Sequence, residues 1–314
     1  MQYKDIVLGS VIGHVVGDAL GVPVEFIPRD KLAKYLVNGM LEYGTHHKPK
    51  GTWSDDSSMM LCTLASIIES QGIDYNDVMQ RYSRWAKEGY LTPDGKAFGV
   101  GRTTLRALGK FWRGEEAVNC GCSSEKDNGN GSLMRILPVA LYASLKQEHQ
   151  PTIDERIKYI HQASALTHAH NRACMACGIY TFILQEIIAV RNKSAIIDGL
   201  KKAKNHYNGY PEIVAFDRLF SDNFSKIQSD EIKSSGYVVD TLEAAIWSLL
   251  RTDSYKECVL QAVNLGGDTD TIAAVAGALA GILYGHENIP QEWKDSIIKI
   301  DMITDMCNHF CKIV

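Results

Sequence analysis

Strand signals are almost missing from the 314-residue sequence. Alternating patterns with β-branched runs are scarce, and the short stretch Tyr237 to Val239 is ambiguous, so a sheet-based fold is disfavoured. No Pro-, Gly- or Ser-rich linker divides the chain, and neither a fixed-period repeat nor a low-complexity segment is present. One domain over residues 1–314 is the expectation. Basic excess is missing too. A net charge of -4 and a pI near 6.2 disfavour nucleic acid bound through its phosphates.

A membrane span is not expected at the N-terminus. The most apolar stretch there, Ile6 to Leu20, falls short of the roughly 20 residues a bilayer requires. It also carries Ser10, His14 and Asp18, and no small-residue cleavage site ends it. It reads as the first core helix. Eight cysteines are present but scattered, and with no signal peptide ahead of them they read as reduced thiols in the cytoplasm. Zinc is not expected either. Cys174 and Cys177 have no second Cys-x-x-Cys pair at zinc spacing, and Cys120-x-Cys122 is a poor partner even with His168 and His170 nearby.

Helical periodicity recurs along most of the chain. Met59, Leu61, Cys62, Leu64, Ile67 and Ile68 form one stripe, and Ile136 to Leu141 another. Further stripes are centred on Ile179 to Ile188, Leu242 to Leu249, Ile272 to Leu283 and Trp293 to Ile298. These predict an all-α fold, a compact bundle of roughly ten or more helices. Residues 114–131 and 203–236 are polar and read as loops.

Two of the predicted helices start on unusual acid. Ser54-Asp55-Asp56 precedes the stripe from Met59, and Asp268-Thr269-Asp270-Thr271 precedes the stripe from Ile272. One such start is ordinary, because Ser and Asp cap helices and acids in a first turn complement the dipole. Capping needs one oxygen, whereas each start supplies three or more. Four carboxylates gathered together repel unless a cation lies between them. An oxygen-only donor set points to a hard divalent ion, Mg²⁺ or Mn²⁺, with Ca²⁺ also possible. If the two starts face each other, Ser54, Asp55, Asp56, Asp268, Asp270 and Thr271 would cradle two metals about 4 Å apart, the separation found in two-metal hydrolases. Asp55 and Asp56 leave a first turn in different directions, so they could contact two ions, or one ion and its water.

Five ordered blocks resemble the ADP-ribosylglycohydrolase family. They are Gly13-His14-Val15-Val16-Gly17-Asp18-Ala19-Leu20-Gly21-Val22-Pro23-Val24-Glu25-Phe26, Thr52-Trp53-Ser54-Asp55-Asp56-Ser57, Gly129-Asn130-Gly131-Ser132-Leu133-Met134-Arg135 with Pro138, Leu166-Thr167-His168, and Asn264-Leu265-Gly266-Gly267-Asp268-Thr269-Asp270-Thr271. The resemblance implies an orthogonal all-α bundle, two Mg²⁺ or Mn²⁺ ions and hydrolysis of the glycosidic bond between ADP-ribose and an acceptor. It carries ligand roles onto Ser54, Asp55, Asp56, Asp268, Asp270 and Thr271. Ser54 stands where many members have threonine.

Breaking a ribosyl C1 bond passes through an oxocarbenium-like state, and a free carboxylate nearby handles the proton. Glu25 is the candidate for that work, with a solvated loop acid as the plain alternative. Asp55 is the second catalytic candidate. The segment Asp127-Asn128-Gly129-Asn130-Gly131-Ser132 precedes a helix predicted to begin near Leu133, where glycines and helix-start N–H groups suit a diphosphate. The resemblance implies that this loop lines an ADP-ribose cleft with His168 close by, while a hydrogen-bonded core histidine is the alternative. Arg135 is read as a phosphate partner or a structural ion pair. Phe98-Gly99-Val100-Gly101 offers a second flexible loop, with an aromatic able to stack on a base.

At Gly99 the sequence departs from the pattern. Several arginine-specific members carry aspartate there, in a Phe-Asp-Ile-Gly run, and Asp94 is not an evident substitute. The expected partner is an ADP-ribosylated protein, with arginine favoured as the acceptor, or a small ADP-ribose conjugate. Nucleic acid is expected only as an ADP-ribosylated acceptor. Two other functions fit the motifs: an ADP-ribose or nucleotide-binding module without turnover, and a two-metal hydrolase of another phosphate or glycosidic substrate.

Overall fold

The computed structural model describes residues 3–146 and 151–314. Among them are fourteen α-helices and no strand. The first half contains α1 (Tyr3–Gly21), α2 (Arg29–Leu32), α3 (Asp55–Ser70), α4 (Tyr75–Glu88), α5 (Arg102–Trp112), α6 (Leu137–Leu145) and α7 (Ile153–Ala165). The second half contains α8 (Asn171–Val190), α9 (Ser194–His206), α10 (Val238–Arg251), α11 (Tyr255–Val263), α12 (Thr269–Tyr284), α13 (Gln291–Ser296) and α14 (Ile300–Phe310). The ambiguous Tyr237 to Val239 stretch is the start of α10, and Tyr237 is its N-cap residue. Between α9 and α10 the chain is built from three 3₁₀ turns, so the second polar stretch becomes loop only after His206.

The helix pair α1 and α12 forms the spine. Gly9, Gly13 and Gly17 recur every four residues on one face of α1 and lie against Gly281, Gly277 and Ala273 of α12. A Cβ on any of the three would fall well inside 3 Å of a facing backbone carbonyl, closer than real Cβ atoms approach. Glycine inside a helix costs about 1 kcal/mol relative to alanine, and this backbone-to-backbone approach is the compensating packing. Tyr255 of α11 seals the seam by donating its hydroxyl to the Gly13 carbonyl at 2.8 Å. Because the register descends from Gly9–Gly281 to Gly17–Ala273, the pair is antiparallel, and the end of α1 meets the start of α12.

Two helices, in the windows Tyr3–Val24 and Asn171–Val190, are long and apolar enough to cross a membrane. Their most apolar stretches are 94% and 72% buried inside the fold, where both serve as core. α3 joins the main apolar cluster, through Met60, Leu61, Leu64 and Ile67, to a smaller one, through Met59 and Cys62, that holds α4 and α5. All eight cysteines are free, and each except Cys311 is buried.

Candidate metal centre and cleft

The start of α3 is capped without help from Asp55 or Asp56. Ser54 is the N-cap, and its Oγ accepts from the Asp56 N–H at 3.2 Å. The buried Asp18 of α1 accepts from the backbone N–H groups of Ser54 and Ser57, both at 3.0 Å, and from the Ser57 hydroxyl at 2.6 Å. With the orphan donors satisfied by Ser54 and Asp18, the carboxylates of Asp55 and Asp56 are released from cap duty. Burial pushes the Asp18 carboxyl up to about 6, with its hydrogen-bond donors opposing the shift.

The start of α12 is arranged in the same spirit. Gly266 and Gly267 both have positive φ, 71° and 73°, and turn the chain sharply before Asp268. Asp268 occupies the N-cap position but makes no capping bond with its side chain. Its Oδ2 instead accepts from Asn130 Nδ2 at 2.8 Å. The same Asn130 amide donates to Thr241 Oγ1 at 2.9 Å, and Thr269 donates its hydroxyl to the Gly21 carbonyl at 2.8 Å.

The spine brings both starts to one place. Ligand oxygens of Glu25, Asp268 and Asp270 lie within 4.8 Å of one another. Asp55, Asp56 and Asp270 are all pushed well above the usual carboxylate range, first by burial and then by neighbouring acids. Asp18, Glu25 and Asp268 act on Asp55; Asp18, Asp55 and Asp268 act on Asp56; and Glu25, Asp56 and Asp268 lead for Asp270. Among the described residues, no lysine or arginine forms an ion pair with Asp55, Asp56, Asp268 or Asp270; the cluster's one ion-pair partner is His46, on Glu25. Asp56 Oδ1 is buried and has no hydrogen-bond partner. Uncompensated carboxylates, an orphaned oxygen and an oxygen-only donor set fit a hard divalent cation. Glu25 is thus part of the donor cluster as well as a proton-transfer candidate.

These carboxylates and Thr271 line a cleft of about 310 Å³, together with Gly99, Gly101, Gly129, Asn130, Gly131 and His168. Arg102 and Lys126 also line it. Ser54 lies behind this wall at 1% exposure, donating to Asp56 Oδ2 at 3.0 Å. Glu25 is no solvated loop acid. It is 8% exposed, follows a 3₁₀ turn opened by Pro23, and is hydrogen-bonded to His46 Nε2.

His168 lines the cleft and is hydrogen-bonded within the core. It is buried, its Nδ1 meets the Thr167 hydroxyl at 2.8 Å, and its Nε2 faces the Gly129–Gly131 turn. Burial lowers its pKa to about 3, with Arg135 and Arg106 adding to the effect, so the ring is neutral.

Four other sequence-predicted residues sit elsewhere. Asp127 is turned into its own loop, where it pairs with Arg106 and accepts from the Ser124 hydroxyl at 2.6 Å. Asn128 donates to the Glu125 carbonyl, and Ser132 accepts from the Ser164 hydroxyl, both inside the scaffold. None of these three lines the cleft. Phe98 already has neighbours on its ring, His46 at 5.3 Å between centroids and Lys48 Nζ at 4.7 Å.

Arg135 is neither a phosphate partner nor half of an ion pair. It is 1% exposed and donates to Tyr82 Oη, the Ala163 carbonyl and Thr167 Oγ1. The helix predicted near Leu133 is a single 3₁₀ turn whose Met134 and Arg135 N–H groups already bond the Asn130 and Ser132 carbonyls, and α6 begins at Leu137. Cys174 and Cys177 are core side chains, and Cys174 Sγ is bonded to the His161 and His168 carbonyls.

Gly99 has φ of 82°, and a Cβ there would fall inside 3 Å of Asp55 Oδ1. The Asp55 carboxylate therefore fills the space a side chain at position 99 would use. Asp94 pairs with Lys48 at 2.6 Å, outside the cleft.

Two residues escaped sequence reasoning. Asp18 carried a signal, an acid within an apolar helix, but its partner lies 36 residues away on α3. His46 carried none, since its role exists only because the turn before it folds back onto Glu25.

Comparison with known proteins agrees with this architecture. A family model for ADP-ribosylglycohydrolase matches residues 1–313. ADP-ribosylarginine hydrolase Tri1 of Serratia proteamaculans is 32% identical over 301 residues, covering 96% of this chain and 77% of that one. ADP-ribosyl-[dinitrogen reductase] glycohydrolase of Rhodospirillum rubrum is 31% identical over 307 residues, covering 95% and 91%. A solved structure described as an ADP-ribosylglycohydrolase-related protein complex superposes with a TM-score of 0.82 at 29% identity, covering 99% of both chains. Motifs, fold and relatives agree over the full length, and the chain belongs to the ADP-ribosylglycohydrolase family.

Proposed function

We propose that this protein, as one domain working in the cytoplasm, hydrolyses the glycosidic bond between ADP-ribose and a modified protein side chain. The observation that carries the proposal is the meeting of two acidic helix starts around one cleft with the unpartnered Asp56 Oδ1. Asp55, Asp56, Asp268 and Asp270, with the hydroxyls of Ser54 and Thr271, would hold two Mg²⁺ or Mn²⁺ ions. When bound, such ions supply positive charge that orients ribose hydroxyls and acidifies water.

The protein's own groups do the rest. Glu25, held by His46, takes the proton from the attacking water at its carboxylate as the bond from ribosyl C1 to the acceptor breaks, and passes that proton to the departing acceptor atom. The carboxylate cluster favours the positive charge that develops at the ribosyl C1. Arg102 and Lys126 add two cations to the lining of the cleft, and the diphosphate of ADP-ribose is the matching anion.

Arginine is the acceptor we favour. The Tri1 proteins of Serratia proteamaculans and Pseudomonas putida, 32% and 33% identical, are named ADP-ribosylarginine hydrolases. The test is a panel of proteins and small conjugates ADP-ribosylated on arginine, serine, acetate or nucleic-acid ends, each assayed with Mg²⁺, Mn²⁺ and chelator. Release of free ADP-ribose from the arginine conjugates, lost in chelator, is expected. Tight ADP-ribose binding without release from any of them would leave a binding module, and a different product would mark another two-metal hydrolase.

A further inference from the structure

Beside the cleft lies a second and larger groove of about 890 Å³. Phe26, Gly236 and Asp268 line both cavities. The groove runs between α2 and the segment before α10, and its walls are pre-formed. Arg29 donates to the carbonyls of Leu265, Ser229 and Ile232, which ties α2 to that segment.

Three charged facts fix what enters. Groove carboxylates are Asp30, Asp230, Asp240 and Asp268, against only Arg29 and Lys233 as cations. Arg29 is engaged by the carbonyls just named, and Asp240 by the Ser235 hydroxyl at 2.6 Å, which leaves Asp30 and Asp230 exposed. Arg102 and Lys126 line the smaller cleft and not the groove. A dianionic diphosphate therefore lies toward Arg102 and Lys126, and the group on the other side of the scissile bond leaves past Asp268 into the acidic groove. Phe26 stands at this exit, 67% exposed with φ of 64°, its N–H held by the Gly267 carbonyl at 2.7 Å. An exposed aromatic pinned in left-handed backbone offers a face to a guanidinium.

We infer that this groove is the acceptor site, and that it binds a polypeptide segment whose modified residue is flanked by lysine or arginine. The inference rests on the hydrolase function proposed above and adds to it the class of acceptor. Phe26 covers the acceptor side chain, and Asp30 and Asp230 read the flanking cations.

The test uses the full-length protein and two probes. One is ADP-ribosylated agmatine, which has a guanidinium and no flanks. The other is a short lysine-flanked peptide ADP-ribosylated on its central arginine. Charge reversal in Asp30→Lys with Asp230→Lys is expected to raise KM for the peptide about tenfold or more while kcat and the agmatine reaction stay unchanged. Added salt is expected to weaken the wild-type peptide reaction and to spare agmatine. Equal effects on both probes, or none on the peptide, would overturn the acceptor groove.

Failure of the hydrolase function is separable. If wild-type protein releases ADP-ribose from neither probe, anisotropy of the fluorescein-labelled peptide on wild-type and charge-reversed protein still decides the groove. Weaker binding by the reversed variant supports it, and equal binding overturns it. Circular dichroism of the double variant verifies folding, and the milder Asp30→Asn with Asp230→Asn provides a second variant with the same expected preference for losing the peptide reaction.

Discussion

Asn130 donates its side-chain amide to Asp268 Oδ2 at 2.8 Å, tying the glycine turn of the cleft to the second acidic helix start. One hydrogen bond thus links the wall of the cleft to a carboxylate of the proposed metal site. Residues that orient ligands in this way typically change metal affinity or activity by about 10–100-fold when removed. Asn130→Ala is expected to weaken Mn²⁺ binding by about tenfold and to lower kcat/KM in parallel. Calorimetric titration of Mn²⁺ beside steady-state kinetics checks it; a loss of turnover with unchanged Mn²⁺ affinity would place Asn130 on the substrate instead.

Removing carboxylates should abolish activity without unfolding the protein. Asp56→Asn combined with Asp268→Asn is expected to lose bound metal and turnover while the helical spectrum stays largely unchanged. In chelator the double variant is expected to melt above the wild type, because the buried Asp56 and the half-buried Asp268 that repels it have been neutralised. Retained activity would place the centre elsewhere.

The pH dependence follows from the raised carboxyls. Asp18, at about 6, and Asp55, Asp56 and Asp270, each pushed well above the usual carboxylate range by burial and neighbouring acids, bind more protons folded than unfolded. Stability from such groups is fully present below the unfolded value of 3.8 and is lost as pH rises through the folded values. A divalent cation takes over from those protons. The stabilisation by Mg²⁺ over chelator, read from thermal melts, should therefore grow as pH rises from 5 to 8, reaching about 2.7 kcal/mol once the ion exceeds its Kd about a hundredfold. His14 and His168, lowered to about 4 and about 3 by burial, affect both conditions alike and cancel in the difference. A gain that shrinks with pH would contradict the ligand set.

Position 99 tests the crowding at Asp55. Gly99→Ala introduces a Cβ into left-handed backbone and against the Asp55 carboxylate. A cost of about 1 kcal/mol and a drop in turnover are expected. Gly101→Ala is the comparison, because the nearest atom to its Cβ would be Thr104 Oγ1 at 3.9 Å. Chemical denaturation and kinetics on the pair separate strain from chemistry, and equal behaviour of the two variants would show that Asp55 is free to move.

The spine is the least tolerant part of the fold. Gly17→Ala pushes a methyl into the Ala273 backbone and should cost about 1–3 kcal/mol. Because Asp18 is the next residue, the same change should also weaken Mn²⁺ binding. Gly39→Ala, with 3.8 Å to Trp293 Nε1, is expected to be close to neutral in the same thermal melts. A neutral Gly17→Ala would mean that the helices separate easily.

The helical bundle and the two acid starts were legible because both are local. Apolar residues repeat at 3.6-residue spacing whether or not their partners are known, and three oxygens in a first turn exceed what a cap requires. Relations across the fold were not legible. Asp18 caps α3 from another helix, His46 meets Glu25 only after a turn closes, and the glycines of α1 matter only because α12 lies against them. Polar loop residues were the other difficulty. Asp127 and Asn130 look equally suited to a ligand in the sequence, yet Asp127 faces Arg106 and Ser124, whereas Asn130 lines the cleft.

The central claim is that the two acidic starts together hold divalent ions needed to free ADP-ribose. Mass spectrometry of the products from an ADP-ribosylarginine protein, incubated with metal-stripped enzyme and with the same enzyme reloaded with Mn²⁺, tests it most directly. The account predicts free ADP-ribose and unmodified arginine only after reloading, and none from the Asp56→Asn, Asp268→Asn protein under either condition. Equal release by the stripped and reloaded enzymes would contradict it.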